Sequence, residues 1–266
     1  MTDSKQADSD FIIQVTGLSC GYGETTVLQG VSFSVERGEI FFVVGRSGCG
    51  KSTLLRNLIG LESPLEGEIR FGGQPLTGAG HDARRTLMRR MGITYQNSAL
   101  WSTMTVGENV ALPLEEHTSL TRDEIHDLVA VKLGMVGLAG SESTYPSELS
   151  GGMRKRAALA RALILDPEIL FFDEPSAGLD PVSARNLDRL ILQTRENLGT
   201  TVVVVSHDVE SICTVADRVV MLGRETKTII ASGTLRHLLR EEQNPHVLEF
   251  FGGERVLRDK DCKESE

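Results

Sequence analysis

Residues 40–53 read IFFVVGRSGCGKST, an uninterrupted apolar run set directly against a glycine-rich turn. Ile40 to Val44 shows no polar alternation, the pattern of a strand buried on both faces rather than a half-exposed one. The next nine residues, Gly45-Arg46-Ser47-Gly48-Cys49-Gly50-Lys51-Ser52-Thr53, match GxxxxGK[ST] between that strand and a helix. Glycines at these positions let the backbone curl so that successive N–H groups point inward around phosphate oxygens. Beyond the turn, Leu54, Leu55, Leu58 and Leu61 recur at helical spacing, and a helix there adds its positive N-terminal end to the cradle. Lys51 can reach the β- and γ-phosphates of a nucleotide, and Ser52 can offer its hydroxyl to Mg²⁺. A chance glycine-rich turn is the competing reading, and the strand–helix context weighs against it.

A second element lies far downstream. Ile169-Leu-Phe-Phe-Asp173-Glu174 is an apolar strand ending in two carboxylates. Such a strand carries them to the C-terminal edge of an open sheet, where ligands of α/β folds bind. Asp173 is the candidate magnesium ligand. Glu174 is the candidate general base for an attacking water. Alone, an acidic pair after a strand is often a helix N-cap; behind a phosphate cradle it becomes a catalytic candidate.

The rest of the chain arranges itself around these two. Residues 11–35 alternate short apolar segments with turn residues and read as β-rich, and another strand is expected at 68–71. Residues 81–165 read as mostly helical, with an inserted helical subdomain at about 97–165. After residue 169, strands and helices alternate: a helix over 181–198, the strand TVVVVSH, a helix over 209–216 and the strand RVVMLG. An α/β fold follows, with a mostly parallel core sheet, an N-terminal antiparallel β region and an inserted α-helical subdomain. One nucleotide-binding domain is expected over 11–252, between tails at 1–10 and 253–266.

Composition narrows the class. The 266 residues are 40% hydrophobic and 24% charged, ordinary globular usage that excludes a disordered, collagen-like or coiled-coil chain. A net charge of −9 and a pI near 5.3 argue against nucleic acid or anionic lipid as a general partner. Cys20, Cys49, Cys213 and Cys262 have no CxxC spacing, so reduced thiols are expected rather than disulfides or a zinc site. The polar, acidic start MTDSKQADSD is unlike a signal peptide, and no apolar run nears the roughly 20 residues of a membrane span. A cytoplasmic location is expected.

With Leu149-Ser150-Gly151-Gly152-Met153, 23 residues before Asp173, the chain resembles the nucleotide-binding subunits of ATP-binding cassette (ABC) transporters over about residues 11–252. The resemblance implies the ABC ATPase version of the P-loop NTPase fold, ATP and Mg²⁺ as ligands, and specific roles. Tyr22, 23 residues before Gly45, would stack on adenine. Gln96 would contact Mg²⁺ or water and link ATP to a membrane partner. Ser150, Gly151 and Gly152 would bind the γ-phosphate held by an opposite subunit, which implies a head-to-tail homodimer. Asp180 would communicate between the two sites. His207, 33 residues after Glu174, would hydrogen-bond the γ-phosphate and position water. The fifth signature position departs from the family's usual Gln: Met153 cannot hydrogen-bond there. Arg154, Lys155 and Arg156 would support the signature helix. Cys49, beside Lys51 and a helix N-terminus, is expected to have a lowered thiol pKa and to block ATP binding when alkylated.

Within that family, Gln96-NSALWSTMTVGENVALPLEEHTSL and NPHVLEFFGG are similar to the ATPase subunits of Mla-type, MCE-linked lipid transporters. That similarity implies phospholipid or other hydrophobic cargo, two integral-membrane permease subunits, a periplasmic MCE-domain protein, in some relatives a STAS-domain protein, and a peripheral position on the cytoplasmic face of the inner membrane. The basic run Arg84, Arg85, Arg89 and Arg90 is either a solvated face or a contact to such a membrane partner. In this branch residues 243–266 correspond to a segment that can join the dimer, though it is short here. A polar amino-acid importer is the nearest competing cargo class. Non-transport ABC ATPases usually carry two cassettes or a long coiled coil, P-loop kinases and GTPases have no use for LSGGM or His207, and a non-hydrolysing regulator is at odds with Glu174.

Overall fold

The structure is a computed structural model and describes residues 10–23, 25–240 and 244–252. The expected tails at 1–10 and 253–266, with Cys262, lie outside these residues except for Asp10. In chain order the elements are β1 (Phe11–Tyr22), β2 (Thr25–Glu36), β3 (Ile40–Val44), α1 (Lys51–Leu58), β4 (Glu66–Phe71), β5 (Gln74–Pro75), α2 (His81–Met88), β6 (Met91–Thr94), α3 (Val106–His117), α4 (Arg122–Met135), α5 (Gly151–Leu163), β7 (Ile169–Asp173), α6 (Pro181–Leu198), β8 (Thr201–Ser206), α7 (Val209–Val215), β9 (Arg218–Leu222), β10 (Ile229–Thr234), α8 (Leu235–Arg240) and α9 (Pro245–Phe250).

Two sheets result. One is antiparallel in the order β2-β1-β4-β5; the other runs β10-β9-β3-β8-β7-β6. In the second sheet β3 pairs in parallel with both β8 and β9, β7 with both β8 and β6, and only β10 is antiparallel. The unbroken apolar runs explain the layering. Along β3, Ile40, Phe42 and Val44 feed one core, under the helices on one face. Phe41 and Val43 feed the other, against α1 and the antiparallel sheet. Val202 and Val204 of β8 and Leu170 and Phe172 of β7 join the first core; their neighbours Val203, Val205, Ile169 and Phe171 join the second. All five residues of β3 are fully buried, each worth roughly 1.5–3 kcal/mol of transfer energy.

One expectation needs correction, and two strands had no sign in the sequence pattern. Leu61 does not continue the apolar stripe of α1: the helix stops at Leu58, Gly60 turns the chain at φ 73°, and Leu61 is exposed. The stretch from 81 is mostly helical, as expected, but within it β6 extends the parallel sheet beside β7. Its four residues, with Gly92 packed closely on the backbone of Ala162, are too short a run for periodicity to mark a strand. β10, interrupted by Ser232 and Gly233, also escapes the pattern.

Between β6 and β7 the chain makes α3, α4 and α5. Thr105 with Glu108, and Thr121 with Glu124, form reciprocal capping boxes that start the first two helices. Ser150 starts α5 by accepting from the Met153 N–H at 3.2 Å. Only residues 244–252 of the C-terminal segment are described. There α9 buries Val247 and Phe251 in the chain's own helical-face core.

Candidate nucleotide site

The loop after β3 is shaped by its glycines. Gly45 has φ 147°, and a Cβ there would lie 2.7 Å from both Cys49 Sγ and the Leu222 carbonyl oxygen. Gly50 has φ 102°, and a Cβ there would meet Val27 and Leu28 at 2.9 Å. Any side chain at either position is strained and crowded. No side chain caps α1, so its first N–H groups are available to an anion.

A pocket of about 700 Å³ opens over this loop, and Arg46, Ser47, Gly48, Gly50, Lys51, Ser52 and Thr53 line it. Gln96, from the turn after β6, Glu174, just past β7, and His207, just past β8, complete its rim. Lys51 is buried; its Nζ donates to the Gly45 carbonyl at 2.8 Å and lies 3.7 Å from Glu174 Oε1. Glu174 Oε2 is 2.8 Å from His207 Nδ1. Four residues, Lys51, Gln96, Glu174 and His207, separated by up to 156 positions, thus converge because β3, β8, β7 and β6 lie side by side in parallel and deliver their C-terminal ends to one edge.

Asp173 lies behind this rim. Its Oδ1 is buried and has no hydrogen-bond partner, and burial, reinforced by the Glu174 charge, raises its pKa. A hard cation is the group such an orphaned carboxylate oxygen accommodates. Asp173, the Ser52 hydroxyl and the Gln96 amide oxygen are of the donor type that Mg²⁺ takes.

Other expected residues stand differently. Tyr22 is half-exposed, and its hydroxyl is engaged by Arg56 Nη1 at 2.9 Å and lies 3.3 Å from Thr53 Oγ1. Its ring is tethered to the cradle helix and does not line the pocket. Cys49 is buried, and desolvation pushes its thiol pKa up against the smaller opposing effect of Lys51; the expected lowering is therefore corrected, since burial outweighs the nearby positive charge. Ser150, Gly151 and Gly152 are absent from the pocket lining, as is Asp180. Asp180 caps α6, accepting from Ser183 Oγ at 2.5 Å and from the Val182 and Ser183 N–H groups at 3.0 Å, which lowers its pKa. Gly152 packs against Ser183, so the signature and the Asp180 turn lie together, outside their own chain's pocket.

Two lining residues were missed. Val27 comes from β2 and Phe250 from α9. Next to Phe250, Glu249 pairs with Arg46 Nη2 at 2.5 Å. Both charges are more than half exposed, so the buried anchors Val247 and Phe251, rather than the ion pair, hold α9 at the pocket. The paired aromatics of LEFF were the available signal. Arg154 and Arg156 donate to the carbonyls of Leu149, Val136 and Gly137, bracing α5. Arg90 is spent on Glu168.

Residues 28–177 match the ABC transporter family. The intermembrane phospholipid transport system ATP-binding protein MlaF of Escherichia coli (strain K12) is 40% identical over 242 residues, which cover 91% of this chain and 89% of that protein. The probable ribonucleotide transport ATP-binding protein mkl of Mycobacterium tuberculosis (strain H37Rv) is 38% identical over 244 residues, 92% of this chain and 67% of that one. Among solved structures, cbiO1 from Clostridium perfringens, part of the ABC transporter complex cbiONQ, superposes with a TM-score of 0.79 at 30% identity, covering 87% of this chain and 92% of that chain. The dimeric ATP-binding cassette MJ0796 bound to ADP and Pi gives 0.77 at 28%, covering 84% and 99%.

Proposed function

The chain belongs to the ABC transporter family, and from that premise we propose that it hydrolyses ATP to drive phospholipid or other hydrophobic-molecule transport between the inner and outer membranes of a bacterial envelope. The observation that carries the hydrolytic part is Glu174, with one carboxylate oxygen on His207 and the other facing Lys51 over the phosphate cradle. Lys51 and the cradle N–H groups bind the β- and γ-phosphates. Glu174 takes a proton from water as its oxygen attacks the γ-phosphorus, and ADP leaves with the electrons of the broken P–O bond. His207 orients Glu174 and the water. Mg²⁺, held by Ser52, Asp173 and Gln96, would neutralise charge on the phosphate oxygens when bound. Tyr22 stacks on adenine once its ring swings toward the nucleotide.

Two of these chains are needed. Ser150, Gly151 and Gly152 lie away from their own pocket, which fits a head-to-tail dimer in which each signature meets the nucleotide of the other copy. Asp180 sits beside that signature as the link between sites. A groove lined by Leu61, Arg84, Arg85, Arg89, Pro113 and His117, with a volume near 620 Å³, suits a cytoplasmic segment of a permease. Among the described residues no helix is long and apolar enough to cross a membrane, consistent with a peripheral position on the cytoplasmic face of the inner membrane. A periplasmic MCE-domain protein, and a STAS-domain protein against the exposed Leu128, Val131 and Met135 of α4, complete the proposed assembly.

The cargo assignment rests on the similarity to MlaF through nearly the whole of both chains. Affinity capture of the tagged full chain from detergent-solubilised membranes, with mass spectrometry of proteins and lipids, tests it. Recovery of two permease subunits, an MCE-domain protein and enriched phospholipid is the expected result. Recovery of an amino-acid permease with a solute-binding protein would discard the lipid cargo and keep the ATPase.

A further inference from the structure

Four cations of α5 all donate to backbone carbonyls, but they do not all brace the same thing. Arg154 holds Leu149 just before its own helix, Arg156 holds Val136 and Gly137 at the end of α4, and Arg161 holds Ser98 and Ala99 at 3.0 and 2.7 Å. Lys155 is different. Its Nζ reaches across to the Gln96 carbonyl at 3.3 Å and the Glu174 carbonyl at 3.2 Å, so one ammonium spans the backbone of two loops that line the nucleotide pocket. An ammonium has three donors and can serve both at once.

The Glu174 end is the telling one. Glu174 stands at φ 48°, a left-handed conformation that L-residues adopt at a cost. Its N–H is held by the Val205 carbonyl at 2.8 Å, and its own carbonyl accepts from both the Ala177 N–H at 3.2 Å and Lys155. The side chain that must aim at water is therefore fixed from both sides of its peptide. Lys155 is half-buried, and desolvation lowers its pKa against the smaller opposing effects of the Glu174 and Asp173 charges.

Lys155 lies just over one helical turn beyond Ser150, which caps the same helix. We propose that Lys155 is a positioning residue that ties the signature end of α5 to Gln96 and Glu174 of the same chain, so that a nucleotide engaged at Ser150 is felt at this chain's own hydrolytic carboxylate. This rests on the head-to-tail reading above, in which the nucleotide at Ser150 belongs to the other copy. A helix is stiff over one turn, and a displacement of its first turn moves Lys155 with it.

The test uses the complex captured through the full chain, measuring ATP turnover against ATP concentration for the unaltered protein, Lys155→Met and Lys155→Arg. Nucleotide affinity is measured separately with a fluorescent ATP analogue. Lys155→Met is expected to keep affinity within about twofold while kcat falls roughly tenfold or more and the Hill coefficient for ATP drops toward 1. Lys155→Arg is expected to restore most of kcat. A Lys155→Met complex with kcat within about twofold of the unaltered one, or an unchanged Hill coefficient, overturns the inference. So does a loss of affinity that matches the loss of kcat and is not rescued by Arg, which marks a simple brace. Glu174→Gln is run in parallel: absent turnover in the unaltered complex, or full turnover in Glu174→Gln, defeats the hydrolytic reading and this inference with it, whereas the outcomes above defeat only the coupling.

Discussion

Glu174 combines a strained backbone with a side chain shared between His207 and the vicinity of Lys51, and strain of about 1–3 kcal/mol is tolerated where geometry must be fixed. Glu174→Gln keeps the shape and removes the base, so nucleotide affinity should be retained while turnover falls by roughly a hundredfold or more; phosphate release in a single-turnover assay checks this, and near-normal turnover would end the general-base assignment. Asp188 offers a contrasting carboxylate. It is buried, accepts from Ser211 Oγ at 2.6 Å, and has its pKa pushed up to about 6 by burial, with Asp208 and Glu210 adding to the effect. A raised folded-state pKa means that the ionised form penalises the fold above about pH 6, and that the penalty disappears as pH falls below the ordinary value near 4. Asp188→Asn should therefore melt higher than the unaltered chain at pH 7 and at the same temperature near pH 4; equal melting temperatures across that range would refute it. The cradle was legible because its residues are contiguous and their chemistry is local. Val27, Phe250 and the burial of Cys49 were not, since distant elements create them.

β6 shows the same limit one scale up. Four residues with a central glycine carry too little pattern to announce a strand, yet this strand closes the parallel sheet and places Gln96 beside the pocket. A Cβ at Gly92 would stand 2.4 Å from the Ala162 carbonyl oxygen and 2.5 Å from Leu170 Cδ2. The carbonyl belongs to the backbone of α5 and cannot rotate away. Gly92→Ala is expected to cost about 1–3 kcal/mol, read as a lower denaturant midpoint with an unchanged slope; a midpoint within error of the parent would show that β6 and α5 can separate freely. The central strands, by contrast, were readable in full. Unbroken apolar runs such as IFFVV and VVVV suit a strand covered on both faces, which can bury every residue.

For the whole molecule, the proposed head-to-tail pairing, with Ser150 outside its own pocket, would make activity a property of two copies. Mixing chains that carry Ser150→Arg with chains that carry Lys51→Ala should leave one mixed-dimer site with both lesions and the other with neither. Such mixtures are expected to regain turnover that neither variant has alone, and failure to complement would argue for sites built within one chain. The order β10-β9-β3-β8-β7-β6 has another consequence, for how the protein is made. The phosphate loop at 45–53 leaves the ribosome early, but both strands that flank β3 come from residues 201–222, and Phe250 follows later still. For most of translation β3 is an apolar ribbon with two unpaired edges. A nascent chain of this protein therefore needs shielding until its second half emerges, and it should not hold nucleotide before then.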